Sequence, residues 1–110
     1  MVRSKYGNQK TTVYGITFDS KKEAERYLVL RSLEQQGLIT DLQRQVKYVL
    51  LPTQKIDGET VEKALSYVAD FQYKRNGEIV VEDVKGMRTQ VYKIKRKLML
   101  WFYDIQITEV

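Results

Sequence analysis

Cysteine and histidine are both absent from the 110 residues, proline occurs once, and no apolar run approaches the ~20 residues needed to cross a bilayer. The missing cysteine excludes disulfides and thiolate zinc sites. The missing histidine excludes Ser-His-Asp hydrolases, Cys-His proteases, nucleases with a histidine-bound metal and the zinc deaminases. Any catalysis is left to carboxylates, lysine, tyrosine or a hard metal ion. The opening MVRSKYG lacks the apolar stretch of a secretory signal, so the expectation is a soluble, cytoplasmic protein with no membrane partner.

What is present is a basic chain with enough apolar residues for a core. Nineteen Lys and Arg stand against 14 Asp and Glu, a net charge of +5. That balance points to an anionic partner without separating nucleic acid from a membrane surface. With 43% hydrophobic residues, a chain of this length buries roughly two-thirds of its unfolded surface and forms one domain, 1–110.

Residues 1–11 are basic and polar and read as an N-terminal arm, leading into a short strand around residues 12–17. Ser20 followed three residues later by Glu23 is a capping box, which predicts a helix running to about Gln36 with Gly37 as its stop. A strand over residues 42–51 ends at Pro52, and Asp57-Gly58 turns the chain into a further strand. Residues 64–73 are rich in strand formers, and Asn76-Gly77 is a hairpin signal before EIVVEDVK. The strands beginning at Leu42, Ala64 and Glu78 are expected to form an antiparallel meander. Beyond Gly86, Val91, Ile94, Leu98 and Trp101 recur at helical spacing and are expected to be that helix's core stripe. Alternation over residues 105–110 predicts a closing strand. The fold class is α/β: helix, three-stranded antiparallel meander, helix, strand.

Side chains two apart on a strand share a face and lie about 6 to 7 Å apart. Asp83 and Lys85 therefore face one way and Glu82 and Val84 the other. On the preceding strand the same rule separates Tyr67, Ala69, Phe71 and Tyr73 from Val68, Asp70 and Gln72. Pairing through Asn76-Gly77 brings Asp70 close to Asp83, where two acids repel and favour a cation. Oxygen ligands without imidazole or thiolate suit Mg²⁺ or Mn²⁺. A lysine two residues from a ligand carboxylate is placed to position a water or hold a phosphate. These are the parts of metal-dependent phosphodiester hydrolysis.

Asp70 followed by Asp83-Val84-Lys85 on consecutive strands, behind a helix bearing Glu23, resembles the PD-(D/E)XK nuclease superfamily. Nearly the whole chain resembles a family of small phage-encoded proteins of that superfamily, grouped with resolvase-like endonucleases. RSKYGN, FDSKKEAERY, Gln45, YVADFQY, VVEDVKG and TQVYKIKRK carry the likeness. Ala69 stands where the motif has its proline, which contributes nothing to metal binding. The resemblance implies a restriction-endonuclease-like core, Asp70 and Asp83 as metal ligands, Lys85 orienting the nucleophilic water or stabilising phosphate charge, and Glu23 reaching in from the first helix. Were Glu82 the ligand, the lysine position would fall on Val84. Glu25 lies roughly 160° around the helix from Glu23, whereas Glu23 shares a stripe with Tyr27 and Leu30.

Plainer readings stand beside these. Glu23 is accounted for by the capping box alone, and Asp83 with Lys85 by a surface ion pair. The basic residues of the second helix match an ordinary solvated face. That helix starts just after Lys85, however, which brings Thr89, Tyr92 and Lys95 to the border of the site as DNA-backbone contacts. Arg3, Lys5 and Lys10 of the arm are further phosphate contacts, giving salt-sensitive affinity without reading sequence.

The resulting expectation is a Mg²⁺- or Mn²⁺-dependent DNA endonuclease of phage or prophage origin, acting in the bacterial host's cytoplasm. By resemblance its substrate is branched DNA such as a Holliday junction. Symmetric cutting of two strands calls for a homodimer. The alternatives are a non-catalytic DNA-binding accessory protein for phage replication or packaging, and a structure-specific RNA-processing nuclease.

Overall fold

Paired left-handed residues punctuate the chain and set where its strands reverse. In the computed structural model, which describes residues 10–84 and 88–110, Tyr14-Gly15, Asp57-Gly58 and Asn76-Gly77 all have φ between 51° and 81°. Two positive φ values in succession give the two-residue turn whose twist matches that of the strands it joins. These turns connect β1 (Thr11–Val13) to β2 (Ile16–Phe18), β4 (Gln54–Ile56) to β5 (Glu59–Glu62), and β6 (Leu65–Arg75) to β7 (Glu78–Asp83). The single strand expected over residues 12–17 is therefore a hairpin. The alternating pattern runs through Tyr14-Gly15, but the backbone reverses there.

α1 (Lys21–Gln35) begins where the Ser20 hydroxyl accepts the Glu23 N–H at 3.1 Å and stops at Gly37, which takes φ 77°. Its inward stripe is Glu23, Ala24, Tyr27 and Leu30. β3 (Thr40–Leu51) follows, and the main sheet has the order β3, β6, β7, β8, with β8 (Thr108–Glu109) parallel to β7 and the other pairs antiparallel. The expected meander is present as β3, β6 and β7. β4 and β5, inserted between β3 and β6, pair with each other as a separate two-stranded sheet, as β1 and β2 do. α2 (Gln90–Tyr103) is capped by Thr89, whose hydroxyl accepts the Tyr92 N–H. Among the described residues no helix is long and apolar enough to cross a membrane.

The two helices cover opposite faces of the main sheet. Val80 and Val84 pack with Ala24, Tyr27 and Leu30 of α1, while Val81 between them packs with Tyr92 and Met99 of α2. Neighbouring residues of a strand point to opposite faces, so the sheet is sandwiched. Leu30 and Phe71, both fully buried, anchor the α1 side and Met99 the α2 side. Each such side chain contributes roughly 1.5–3 kcal/mol by leaving water.

Two expectations are corrected here. α2 does not turn Val91, Ile94 and Trp101 to the core: they are 61%, 55% and 82% exposed, and the buried residues are Tyr92 and Met99, with Leu98 partly buried. The helix carries two apolar stripes, and the one facing the sheet also finds hydrogen-bond partners. Tyr92 donates to Glu109 at 2.6 Å, and Tyr103 donates to the Val49 carbonyl at 2.6 Å. The second correction concerns β6. Tyr67 and Ala69 join the α2-side cluster, but Phe71 and Tyr73 join the α1-side cluster, so the strand changes facing at Asp70. β3 does the same at Gln45. Arg44 lies over Phe18 on the α1 side, Val46 and Tyr48 pack on the α2 side, and Gln45 between them has φ 52°.

Candidate functional site

The point where β3 and β6 change facing is also where the acidic side chains gather. β6 and β7 pair Phe71 with Glu82, and one step further along that ladder Asp70 meets Asp83. Both carboxylates are held by donors from the surrounding fold. The Val84 N–H donates to Asp70 Oδ2 at 2.8 Å, and the Tyr67 hydroxyl donates to Asp83 Oδ2 at 2.6 Å. Asp83 is 4% exposed. Glu23 arrives from the first turn of α1 and accepts a hydrogen bond from Gln45 Nε2 at 3.2 Å. Its backbone N–H completes one half of the capping box, and its carboxylate turns to Gln45.

Burial, reinforced by neighbouring acids, sets the electrostatics. Burial pushes the Asp70 carboxyl up to about 7, with Asp83 and Glu23 adding to the rise and the Val84 N–H opposing it. Burial likewise raises Glu23, against the pull of the Arg44 guanidinium and with Asp19 and Asp83 reinforcing it. The Tyr67 hydroxyl is pushed well above its ordinary range by burial and by its bond to Asp83, so it stays a donor. Arg44 sits 4.4 Å over the Phe18 ring, and its Nε has no hydrogen-bond partner among the described residues. Among those residues, no group of three or more His, Cys, Asp and Glu side chains is arranged to hold a metal ion. The aspartates form a pair, and Glu23 stands behind them at Gln45.

A family model described as "Protein of unknown function (DUF1064)" matches residues 3–110. The chain belongs to the DUF1064 family. Comparison with curated proteins and with solved structures gives no match.

In this DUF1064 chain, Asp70 and Asp83 lie side by side as strand counting indicated, Glu23, which the resemblance brought in from α1, is bonded to Gln45 behind them, and Glu82 faces away. Its carboxylate meets Arg26 of α1 at 2.7 and 2.8 Å and also accepts from Tyr73. Glu25 is exposed and pairs with Lys21 at 4.0 Å. Lys85 lies outside the described residues, as do Arg3 and Lys5. Lys10 is exposed ahead of β1, Thr89 is exposed with its hydroxyl capping α2, and Lys95 is half-buried on α2. Tyr92 is not the surface contact expected. It is 6% exposed, its ring lies near Tyr67, and its hydroxyl is given to Glu109. The cations at that end of α2 are instead Arg88 and Arg96, which meet Glu109 at 2.9 and 3.2 Å.

Spacing arguments pass over Tyr67, Gln45 and Arg44. Tyr67 lies three residues before Asp70 on a strand, where simple alternation puts the two on opposite faces. Only the change of facing makes Tyr67 a donor to the site.

Proposed function

We propose that this chain is a metal-dependent DNA endonuclease with a restriction-endonuclease-like core, in which Asp70 and Asp83 hold Mg²⁺ or Mn²⁺. One observation carries the reading: Asp70 lies against Asp83 on paired strands, with Glu23 brought toward them from α1. Burial, with Asp83 and Glu23 adding to it, raises the Asp70 carboxyl to about 7, and a cation between the two aspartates would favour their charged forms. The donors are hard oxygens, and Mg²⁺ commonly binds through one or two carboxylates and keeps several waters, so a pair is enough. When bound, the ion supplies concentrated positive charge against phosphate oxygens.

The chain's own residues perform the remaining tasks. Tyr67 and the Val84 N–H fix the two aspartates, leaving little reorganisation for the moment of reaction. Glu23, raised by burial and held by Gln45 Nε2, stands beside the aspartates as a carboxyl able to accept or return a proton of water. The resemblance assigns Lys85 to the nucleophilic water or the phosphate. Lys10 and Lys95 serve as backbone contacts, and branched DNA is the substrate class the resemblance favours.

The test is cleavage of plasmid and four-way-junction DNA by purified protein with Mg²⁺ or Mn²⁺. Wild type cuts, whereas Asp70→Ala, Asp83→Ala and Lys85→Ala remain folded and do not. Salt-sensitive DNA binding without cutting by wild type would replace this reading with the accessory-protein one. Cleavage of RNA alone would make the chain an RNA-processing nuclease.

A further inference from the structure

The sheet covers one apolar stripe of α2 and leaves the other in water. Val91, Ile94 and Trp101 are exposed, Leu98 among them is partly buried at the edge of the sheet-side cluster, and the four recur at i, i+3, i+7 and i+10, the spacing of a seam that meets another element. Trp101 is 82% exposed, and Phe102 beside it is 52% exposed. A continuous apolar line of this kind, rimmed by charge, marks an interaction surface. The rim has one sign: α2 contains Lys93, Lys95, Arg96 and Lys97 and no acid. Two such helices laid against each other would oppose like charges, so the seam calls for an acidic partner.

The same chain carries one. The β4–β5 hairpin and its turn span QKIDGETVE, with Asp57, Glu59 and Glu62 against Lys55. Every strand residue of the hairpin is exposed, including Ile56 at 64% and Val61 at 51%. An isolated two-stranded hairpin is marginal in water and gains stability when something packs on it. We propose that the occupant of the α2 stripe is a second copy of this chain. The β4–β5 hairpin of each protomer lies on α2 of the other, setting Ile56 and Val61 against Ile94 and Trp101 and the hairpin acids near Lys93 and Lys97. With both contacts made between the same two copies, the arrangement is a closed two-fold dimer and not a filament. It does not depend on the nuclease reading.

Trp101 is the only tryptophan, so its fluorescence reports this surface alone. Sedimentation equilibrium and emission spectra of the full chain, taken over a dilution series, should show a dimer whose Trp101 emission is blue-shifted and moves to the red as it dissociates. Ile94→Asp and Ile56→Asp change residues exposed in the protomer, so both stay folded by circular dichroism. Each should raise the dimer dissociation constant by roughly 30-fold or more, as the loss of a buried anchor does. Lys97→Glu should weaken the dimer, and adding Glu59→Lys should recover part of the loss. A monomer at every concentration overturns the proposal. So does a dimer indifferent to Ile56→Asp, or a Trp101 shift that appears only when DNA is added.

Discussion

Tyr67 donates its hydroxyl proton to Asp83 Oδ2 at 2.6 Å from a ring that is itself 4% exposed. A phenol locked into the core holds the carboxylate in one orientation. Tyr67→Phe keeps the ring and removes the donor, leaving a buried carboxylate less satisfied at a cost of about 1–3 kcal/mol. Urea denaturation measures that loss. In the cleavage assay the same variant should need more Mg²⁺ for half-maximal rate, because Asp83 is no longer fixed. An unchanged Mg²⁺ requirement would remove Tyr67 from the site and leave it a packing residue.

Asp70 gives the metal-free protein a pH dependence with a definite sign. Its carboxyl is raised from the ordinary value of 3.8 to about 7, so between those values the folded state holds a proton that the unfolded state has lost. The associated stability is complete below about pH 3.8 and lost as pH rises through about 7. Allowing for the half-buried position and solvent screening, the effect is about 1–2 kcal/mol. Denaturation in EDTA at pH 5 and pH 8 should show it in wild type. Asp70→Asn should be more stable than wild type at pH 8 and close to it at the acid end. Mg²⁺ should recover the loss in wild type and do nothing for the variant.

How much of this was legible in the sequence depends on which local rule was still in force. Asp57-Gly58 and Asn76-Gly77 have the positive φ values their residue types favour, and from the second the pairing of Asp70 with Asp83 follows by counting. The choice of Glu23 over Glu25 follows from helical angle. Period 2 fails at Asp70 and Gln45 because it assumes an unbroken pleat, and a strand that changes facing exchanges its inner and outer sets. Period 3.6 fails on α2 for another reason. Both Val91-Ile94-Leu98-Trp101 and Tyr92-Met99 are regular, and hydrogen bonds from Tyr92 to Glu109 and from Tyr103 to Val49 help determine which stripe meets the sheet. Those partners lie 17 and 54 residues away.

Glu109 ties the closing strand to α2. The Tyr92 hydroxyl, then Arg88 and Arg96, hold its carboxyl down at about 2. A carboxyl lowered on folding contributes stability above its ordinary value of 4.5 that is lost as pH falls toward 2. Thermal melts between pH 5 and pH 2 should show that acid limb in wild type and a flatter one in Glu109→Gln. The variant should also melt a few degrees lower at pH 7, since both arginines lose their counter-charge. A variant with the wild-type acid limb would assign that limb to other carboxylates.

Glu82 sits next to Asp83 in sequence and serves the opposite face. It is fully buried, receives two hydrogen bonds from Arg26 and one from Tyr73, and joins α1 to β7. Burial and the bond to Glu82 push the Tyr73 hydroxyl up to about 12, so it remains a donor across the physiological range. Removing one partner of such a pair leaves the other charge buried, which costs roughly 3–5 kcal/mol, whereas replacing both with apolar residues of similar size is often close to neutral. Arg26→Ala should therefore be strongly destabilising in urea, and Arg26→Met with Glu82→Leu should lie nearer to wild type. The double variant leaves Asp70, Asp83 and Glu23 untouched, so a folded protein that retains metal-dependent cutting would separate the salt bridge's structural role from the chemistry on the other side of the strand. If the double variant is less stable than Arg26→Ala alone, the bridge itself, and not the avoidance of an unpaired charge, holds α1 to the sheet.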